Sequence, residues 1–174
     1  MDWKKYEIRD NNPIDDADKV VILDRNVERI FKNIKHGKYI DVGCYHPFKG
    51  SLTAQLYSKN WNGINIDLSK TSIDLFKIAR KKDINLNVAV SNFDGETSYY
   101  ENSPINQQNS LTKINNEQTE IKIKCHTLNS ILKQNSVENF DYLNIDVEGS
   151  ELGAAFGLVQ LNSLLNNISP STSL

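Results

Sequence analysis

Three aspartates follow short apolar segments of the chain, and their type and position make them the first candidates for chemistry. Asp41, Asp67 and Asp146 each stand at the end of a segment that predicts a β-strand. If these strands are parallel, their carboxyl ends share one rim, which is where open α/β sheets bind ligands. Carboxylates gathered there repel one another unless a ligand, a hydrogen-bond donor or a cation compensates. We therefore take this rim as the candidate site.

A second group of acids lies in the segment DVEGSE, residues 146–151. The strand period of two places Asp146 and Glu148 on one face, and Gly149 allows a turn into a helix that carries Glu151. Such carboxylates could orient the amino group of a cofactor, take a proton from a substrate hydroxyl, or hold a hard divalent cation through oxygen ligands. The sequence does not choose among these three roles.

The residues after the first predicted strand favour an adenosine-type ligand without phosphates. Gly43 has no Cβ, so the backbone can turn sharply and a bound nucleoside can approach it closely. Asp67, about two dozen positions later, can accept hydrogen bonds from both hydroxyls of a ribose. Tyr45 stands where the fingerprint G-x-G-x-x-G would have its second glycine. The pyrophosphate cradle of a dinucleotide fold is therefore poorly supported, and NAD is only the runner-up.

Strands and helices must alternate to bring these residues together, and the apolar pattern predicts that they do. Strands are predicted at 38–42, 61–66, 86–90, 97–100, 121–125 and 140–147, and helices over the stripe from Val27 to Ile34 and after the N-cap candidates Ser51, Ser69 or Thr71, and Thr127. A polar loop is predicted from Asn102 to Asn116. Alternation of this kind builds an α/β fold with a mostly parallel sheet and flanking helices.

Length and composition restrict the class of protein. The 174 residues fit one domain, with a loose arm at 1–19, the folded domain at 20–157 and a polar tail at 158–174. The formal charge of −2 lacks the positive field that gathers nucleic acid. No apolar run reaches the ~18 residues of a membrane span. The amino terminus has no apolar core of a secretion signal, so we expect a cytoplasmic protein.

Four segments together resemble the FkbM-type family of S-adenosylmethionine-dependent methyltransferases. They are YIDVGCYHPFKGSLT at 39–53, GINIDLS at 63–69, NVAVSNFDG at 87–95 and YLNIDVEGSE at 142–151. The last segment is the most specific, and the shared order and spacing of all four make coincidence improbable. The resemblance implies a class I Rossmann-like methyltransferase fold. It also implies methyl transfer to an oxygen, often on a sugar of a polysaccharide, glycolipid or secondary metabolite.

The resemblance also implies roles for individual residues. Asp41 and Gly43 correspond to the cofactor loop, Asp67 to the ribose-binding acid, Ala89 and Ser91 to the wall near the adenine, and Asp146 and Glu148 to the methionine end and the acceptor. A cationic sulfonium donor suits a rim of carboxylates. Methyl transfer needs a base for the hydroxyl proton, and the candidates are Asp146, Glu148, His46 and His126. No metal ligands are assigned.

The chain departs from the family pattern after Glu151. The family continues with a hydrophobic helix and further strands, whereas residues 152–174 contain small residues and then a polar end with no convincing strand. We therefore expect a shortened sheet whose last strand has an open edge, which a second copy of the chain could complete. The alternative to a working O-methyltransferase is a catalytically silent cofactor-binding or interaction module.

Overall fold

The structure is a computed structural model that describes residues 29–101, 111, 113 and 118–147. Its strands are β1 (Lys38–Val42), β2 (Asn62–Asp67), β3 (Ile84–Asn87), β4 (Ala89–Val90), β5 (Gly95–Glu101), β6 (Thr119–His126) and β7 (Tyr142–Ile145), and its helices are α1 (Ala54–Ser58), α2 (Lys70–Ala79) and α3 (Leu128–Gln134). Several predicted features lie outside the described residues: the arm at 1–19, the tail at 158–174, most of the loop at 102–116, and Glu148, Gly149 and Glu151.

Four strands form a parallel sheet in the order β3-β2-β1-β7. Ile40 of β1 lies between Ile64 of β2 and Leu143 of β7, which sets the register of the three strands that matter for the site. Because the strands are parallel, their carboxyl ends lie along one edge, where α/β sheets bind ligands. The predicted α/β architecture, a Rossmann-like fold with a mostly parallel sheet and flanking helices, is confirmed.

The two faces of this sheet differ in polarity because side chains alternate along each strand. On one face, the apolar residues of β1 and β2 form a single cluster with α3: Ile40, Val42, Ile64, Ile66, Leu128, Ile131 and Leu132. The opposite face carries Tyr39, packed against Leu56 of α1 and Trp61. It also carries the buried polar side chains of Asp41 and Asn65. The candidate site is built on this polar face.

Two of the three predicted helix starts are confirmed. Ser69 and Thr127 are N-caps, and each side chain accepts a hydrogen bond from the backbone N–H three residues further on. The first helix begins later than predicted, because its N-cap is Thr53 and not Ser51. The hydroxyl of Thr53 makes no capping bond, since it donates to a buried carboxylate of β1 instead. Thr71, the other candidate cap of α2, lies inside that helix.

The single strand predicted at 86–90 is two strands in the structure. β3 ends at Asn87 in the parallel sheet, whereas β4 joins a second sheet of order β4-β6-β5. In that sheet β5 and β6 are antiparallel, and the edge strand predicted at 97–100 is the longer β5. The sequence hides the break because the apolar alternation continues through Val88.

The helix predicted from Val27 to Ile34 is described only from residue 29 onward. The first two described residues are helical, and the next three form a turn. Ile30 is 67% exposed, so the stripe does not bury one continuous face. Phe31 faces the core, with its ring centroid 5.4 Å from that of Trp61 and 5.6 Å from that of Tyr142. In the part of the chain that the structure describes, no helix is long and apolar enough to cross a membrane.

Gly63 in β2 lies too close to the neighbouring strand for any side chain. A Cβ there would lie 2.0 Å from the carbonyl oxygen of Tyr39 in β1. We expect Gly63→Ala to lower the free energy of unfolding by about 1–3 kcal/mol, the usual cost of overpacking, in urea denaturation. Gly95→Ala is the control, because a Cβ there would meet only the ring of Phe93 at 3.6 Å. Equal stability of the two variants would contradict the register of β1 and β2.

Candidate functional site

Three strand ends meet at the carboxyl edge of the parallel sheet. The N–H groups of Gly43 and Cys44, which follow β1, donate to the carbonyl oxygen of Ile66 in β2 at 2.9 and 3.2 Å. On the other side of β1, the N–H of Asp146 donates to the carbonyl oxygen of Val42 at 2.9 Å. The segment that follows β1 is thus held beside the end of β2, and the residue that follows β7 is held beside the end of β1.

Asp41, Asp67 and Asp146 all lie at this edge, but at different depths. Asp41 lies inside β1 and is 1% exposed, Asp67 is the last residue of β2 and half-buried, and Asp146 follows β7 and is exposed. The prediction that each acid ends its strand is therefore correct only for Asp67. Burial raises the pKa of the Asp41 carboxyl, and the charge of Asp146 adds to the rise. Burial also raises the pKa of Asp67 to about 6, and the charge of Asp41 adds to it.

Asp67 ties the segment after β1 to the start of α2. Its Oδ2 accepts a hydrogen bond from the N–H of Tyr45 at 2.8 Å, and its Oδ1 accepts one from the N–H of Ser69 at 2.8 Å. A carboxylate offers about four lone-pair positions, so each oxygen can accept a further bond from a ligand hydroxyl. The geometry is therefore compatible with the predicted ribose contact, and Asp67 also has a structural role because it joins these two segments of the chain.

The β1–α1 loop, residues 43–53, is bent by three residues in the left-handed region of backbone conformation. Gly43, Tyr45 and Gly50 have φ angles of 78°, 53° and 68°. A Cβ at Gly43 would lie 1.8 Å from the carbonyl oxygen of Asp146, so it is the backbone of this chain that approaches the glycine closely. Tyr45 carries a Cβ, and its conformation costs roughly 1–2 kcal/mol. Contacts elsewhere must hold the loop in this shape.

His46 holds the middle of the β1–α1 loop. Its Nδ1 accepts hydrogen bonds from the N–H groups of Phe48 and Lys49 at 3.1 and 3.0 Å. Because Nδ1 is the acceptor, the ring is neutral and carries its proton on Nε2. Burial lowers the pKa of His46, and the charges of Lys49 and Arg80 lower it further. This geometry does not support the predicted catalytic role of His46, since neither nitrogen is left to take a proton from an acceptor.

His126, Ala89 and Ser91 belong to the second sheet and its strand ends. The Nδ1 of His126 lies 3.6 Å from Oδ1 of Asp94, which also accepts a backbone hydrogen bond at the start of α3. Ser91 follows β4 and donates its N–H to the carbonyl oxygen of His126 at 2.9 Å. Ala89 is buried in β4, and β4 contacts β2. Ala89, one of the two residues predicted to border the adenine, thus lies in a strand beside the one that carries Asp67.

Both oxygens of Asp41 accept hydrogen bonds from protein donors that the sequence analysis did not identify. The hydroxyl of Thr53 donates to Oδ2 at 2.6 Å, and the amide of Asn144 donates to Oδ1 at 2.9 Å. Asn144 lies opposite Asp41 in the register of β1 and β7. A signal was present, because Asn144 has the same place in YLNI as Asp41 has in YIDV. Asp41 therefore acts from inside the sheet and is not a free carboxylate at the rim.

A fully buried arginine directly after α2 completes this network. Arg80 is 0% exposed. Its Nη1 donates to Oγ1 of Thr53 at 2.7 Å, its Nη2 to Oγ of Ser51 at 2.8 Å and its Nε to the carbonyl oxygen of Pro47 at 3.0 Å. The guanidinium carbon lies 4.8 Å from the ring centroid of Phe76, within cation–π distance. The signal in the sequence is weak: Arg80 follows Phe76 by four positions and so shares its buried face of the helix.

Four polar side chains form a row across the parallel sheet beneath the site. In register, Asn144, Asp41, Asn65 and Asn85 lie opposite one another in β7, β1, β2 and β3. The amide of Asn65 donates to Oδ1 of Asn85 at 2.8 Å and to Oδ2 of Asp83 at 2.9 Å. Most members of the row are neutral amides, so the row places hydrogen-bonding groups under the site with little added charge.

The divalent cation that residues 146–151 could hold remains a separate hypothesis. Within the described ranges, no group of three or more His, Cys, Asp or Glu side chains is arranged to hold a metal ion. Two of the three carboxylates in that hypothesis, Glu148 and Glu151, lie outside those ranges. The structure therefore does not test it.

Thr53→Val tests the hydroxyl that joins Asp41 to Arg80. Valine keeps the shape of threonine but leaves a carboxylate oxygen and a guanidinium N–H without that partner in the core. Because buried unsatisfied groups cost about 1–3 kcal/mol each, and more when charged, we expect the free energy of unfolding in urea to fall by about 2–4 kcal/mol. The control is Thr119→Val at the exposed start of β6, which should change it by less than about 0.5 kcal/mol. A loss no larger than that of the control would contradict the network.

Comparison with known proteins identifies the family. The family model described as Methyltransferase FkbM domain matches residues 41–161, more than half of the chain. The match includes all three aspartates of the rim. No curated protein and no solved structure matches the chain. The parallel sheet, the acids at its carboxyl edge and the match agree with one another, and the chain belongs to the FkbM methyltransferase domain family.

Proposed function

We propose that the chain is an S-adenosylmethionine-dependent O-methyltransferase whose acceptor is a sugar hydroxyl of a polysaccharide, glycolipid or related metabolite. The carboxyl of Asp67 is the observation that carries this proposal. Two backbone N–H groups fix it at the end of β2, and it can still accept further hydrogen bonds. Membership of the FkbM family supports methyl transfer, and the sugar acceptor follows from the resemblance of the four sequence segments.

The chemistry of the rim fits the proposed cofactor. Asp67 would accept hydrogen bonds from the ribose hydroxyls, and Ala89 and Ser91 would border the adenine. Asp146 would face the methionine end, and its negative charge would favour a positively charged sulfur there. Asp41 would support the rim from inside the sheet, since it is 1% exposed and its oxygens are bonded to protein groups.

When bound, the cofactor supplies a methyl group activated by the positive sulfur. The task of the chain is to hold the acceptor oxygen in line with the carbon–sulfur bond, so that the new carbon–oxygen bond forms as the old bond breaks. The hydroxyl proton leaves during this attack and needs a base within reach. We propose Asp146 and Glu148 for this role. Asp146 is exposed at the rim, and a strand period of two would give Glu148 the same face.

Calorimetric titration with S-adenosylmethionine and its demethylated product tests the cofactor assignment. We expect saturable binding, weakened at least about tenfold in Asp67→Asn and in Asp146→Asn, because each variant removes a charge that faces the cofactor. Asp74→Asn is the control, since Asp74 is an exposed residue of α2 that pairs with Lys70, and it should leave binding unchanged. Tight binding that neither rim variant alters would overturn the residue assignment. Binding without methyl transfer to any glycan would favour the catalytically silent module.

The affinity should also depend on pH through Asp67. Its pKa is raised to about 6, and only the carboxylate form can accept hydrogen bonds from both ribose hydroxyls. Lowering the pH from about 7 to about 5 protonates this group, so the dissociation constant for the demethylated product should rise by about tenfold. Asp67→Asn has no carboxyl to titrate at that position and should bind weakly with a flatter pH profile. An identical pH profile in both proteins would show that another group is responsible.

A further inference from the structure

The guanidinium of Arg80 bonds to three separate points of the β1–α1 loop. It reaches the carbonyl oxygen of Pro47 through Nε and Nη2, the hydroxyl of Ser51 through Nη2 and the hydroxyl of Thr53 through Nη1. The loop forms neither helix nor strand over residues 43–53. Side-chain contacts of this kind therefore define its shape.

The loop needs anchors at both ends because its backbone is strained. Tyr45 has a left-handed φ of 53°, and such a conformation persists only where the surroundings enforce it. Asp67 holds the near end through the N–H of Tyr45. Arg80 holds the far end. Since Asp67 ends β2 before α2 and Arg80 directly follows α2, one strand-and-helix unit holds both ends of the loop.

We propose that Arg80 is a positioning residue for the methyl donor, which holds the β1–α1 loop and the Asp41 carboxylate in the arrangement that binds the cofactor. The inference rests on the proposed function and adds a residue to it. Arg80 is 0% exposed and acts only through other residues. Its path to Asp41 is short, because the hydroxyl of Thr53 accepts from Arg80 at 2.7 Å and donates to Asp41 at 2.6 Å.

An arginine is needed at this position because its contacts diverge. The planar guanidinium donates in several fixed directions and stacks on aromatic rings, whereas a lysine ammonium is a single point charge on a flexible stem. Arg80 uses both properties, since its carbon lies 4.8 Å from the ring centroid of Phe76 and 5.5 Å from that of Tyr57. A lysine would keep the charge beside Asp41 but lose most of the loop contacts.

The electrostatic surroundings of Arg80 support this role. Burial raises the pKa of the Asp41 carboxyl, and the charge of Arg80 opposes that rise. Burial also raises the pKa of the Asp83 carboxyl, and the charge of Arg80 opposes that rise as well. The charge of Arg80 therefore partly offsets the effect of burial on both carboxyl groups, in addition to its contacts with the loop.

Arg80→Lys and Arg80→Gln in the full chain test the proposal with two measurements. The first is hydrogen exchange in the ligand-free protein at the amides of Tyr45, Phe48 and Lys49, which are hydrogen-bonded in the loop. The second is the dissociation constant for S-adenosylhomocysteine by calorimetry. In Arg80→Lys we expect the exchange rate of these loop amides and the dissociation constant each to increase by at least about tenfold. The exchange rates of amides in β5 and β6 should stay unchanged.

Two further variants keep the test decisive. Lys77→Gln is the control, because Lys77 is an exposed cation of the same helix that pairs with Asp74 at 3.6 Å, and both measurements should match the unmodified chain. Ser51→Ala removes one loop acceptor of Arg80 and decides the matter if Arg80→Gln does not fold. Hydrogen exchange at the same loop amides should be faster in Ser51→Ala, by a smaller factor than in Arg80→Lys.

The outcomes separate this inference from the proposed function. Faster exchange confined to the loop, together with weaker binding, supports the positioning role. Exchange that rises equally throughout the parallel sheet, with unchanged affinity in the folded protein, would show that Arg80 only stabilises the core and would overturn the inference. If the unmodified chain binds no S-adenosylhomocysteine, the proposed cofactor is wrong, and the positioning role falls with it even if loop exchange confirms the anchoring contacts.

Discussion

The buried charge of Arg80 is the constraint around which the polar half of the molecule is arranged. Moving an ion from water into the protein interior costs on the order of several kcal/mol, even after the protein relaxes around it. A buried guanidinium is therefore stable only where hydrogen-bond acceptors surround it. Most of those acceptors belong to the β1–α1 loop, with the hydroxyl of Tyr39 in β1 as a further one at 3.4 Å, whereas Arg80 directly follows α2. We infer that the loop and the end of α2 become ordered together, although they lie far apart in sequence.

The two faces of the parallel sheet contribute differently to the candidate site. The face toward α3 is apolar, and its cluster supplies the hydrophobic stabilisation of the sheet. The opposite face carries the row of Asp41, Asn65 and their amide neighbours. The hydrogen bonds of this row orient polar side chains and add little hydrophobic stabilisation. Side-chain hydrogen bonds of this row link β2 to β3 and β7 to β1 beneath the rim.

The local sequence pattern was sufficient to predict those elements whose structure is decided by residues close in sequence. The apolar segments of β1 and β2 and the caps at Ser69 and Thr127 follow from residues close in sequence. The start of α1 does not, because the hydroxyl of Thr53 is engaged by a carboxylate 12 positions earlier. Arg80 is the extreme case. Its spacing from Phe76 is only a weak signal in the sequence, because its acceptors lie 27 to 41 positions away.

Depth in the fold distinguishes three aspartates that the sequence presents as equivalents. Asp41 is 1% exposed and both of its oxygens accept hydrogen bonds from protein groups, so it can fix geometry but is not accessible to a ligand. Asp67 accepts the same number of bonds but is only half-buried, and its carboxyl group can therefore hold the loop and still be reached by ligand hydroxyls. Asp146 is exposed, and in the proposed reaction a proton that it accepts can pass on to water. In the proposed function, one residue type would therefore serve positioning, recognition and proton transfer, because burial and bonded partners decide what a carboxylate can do.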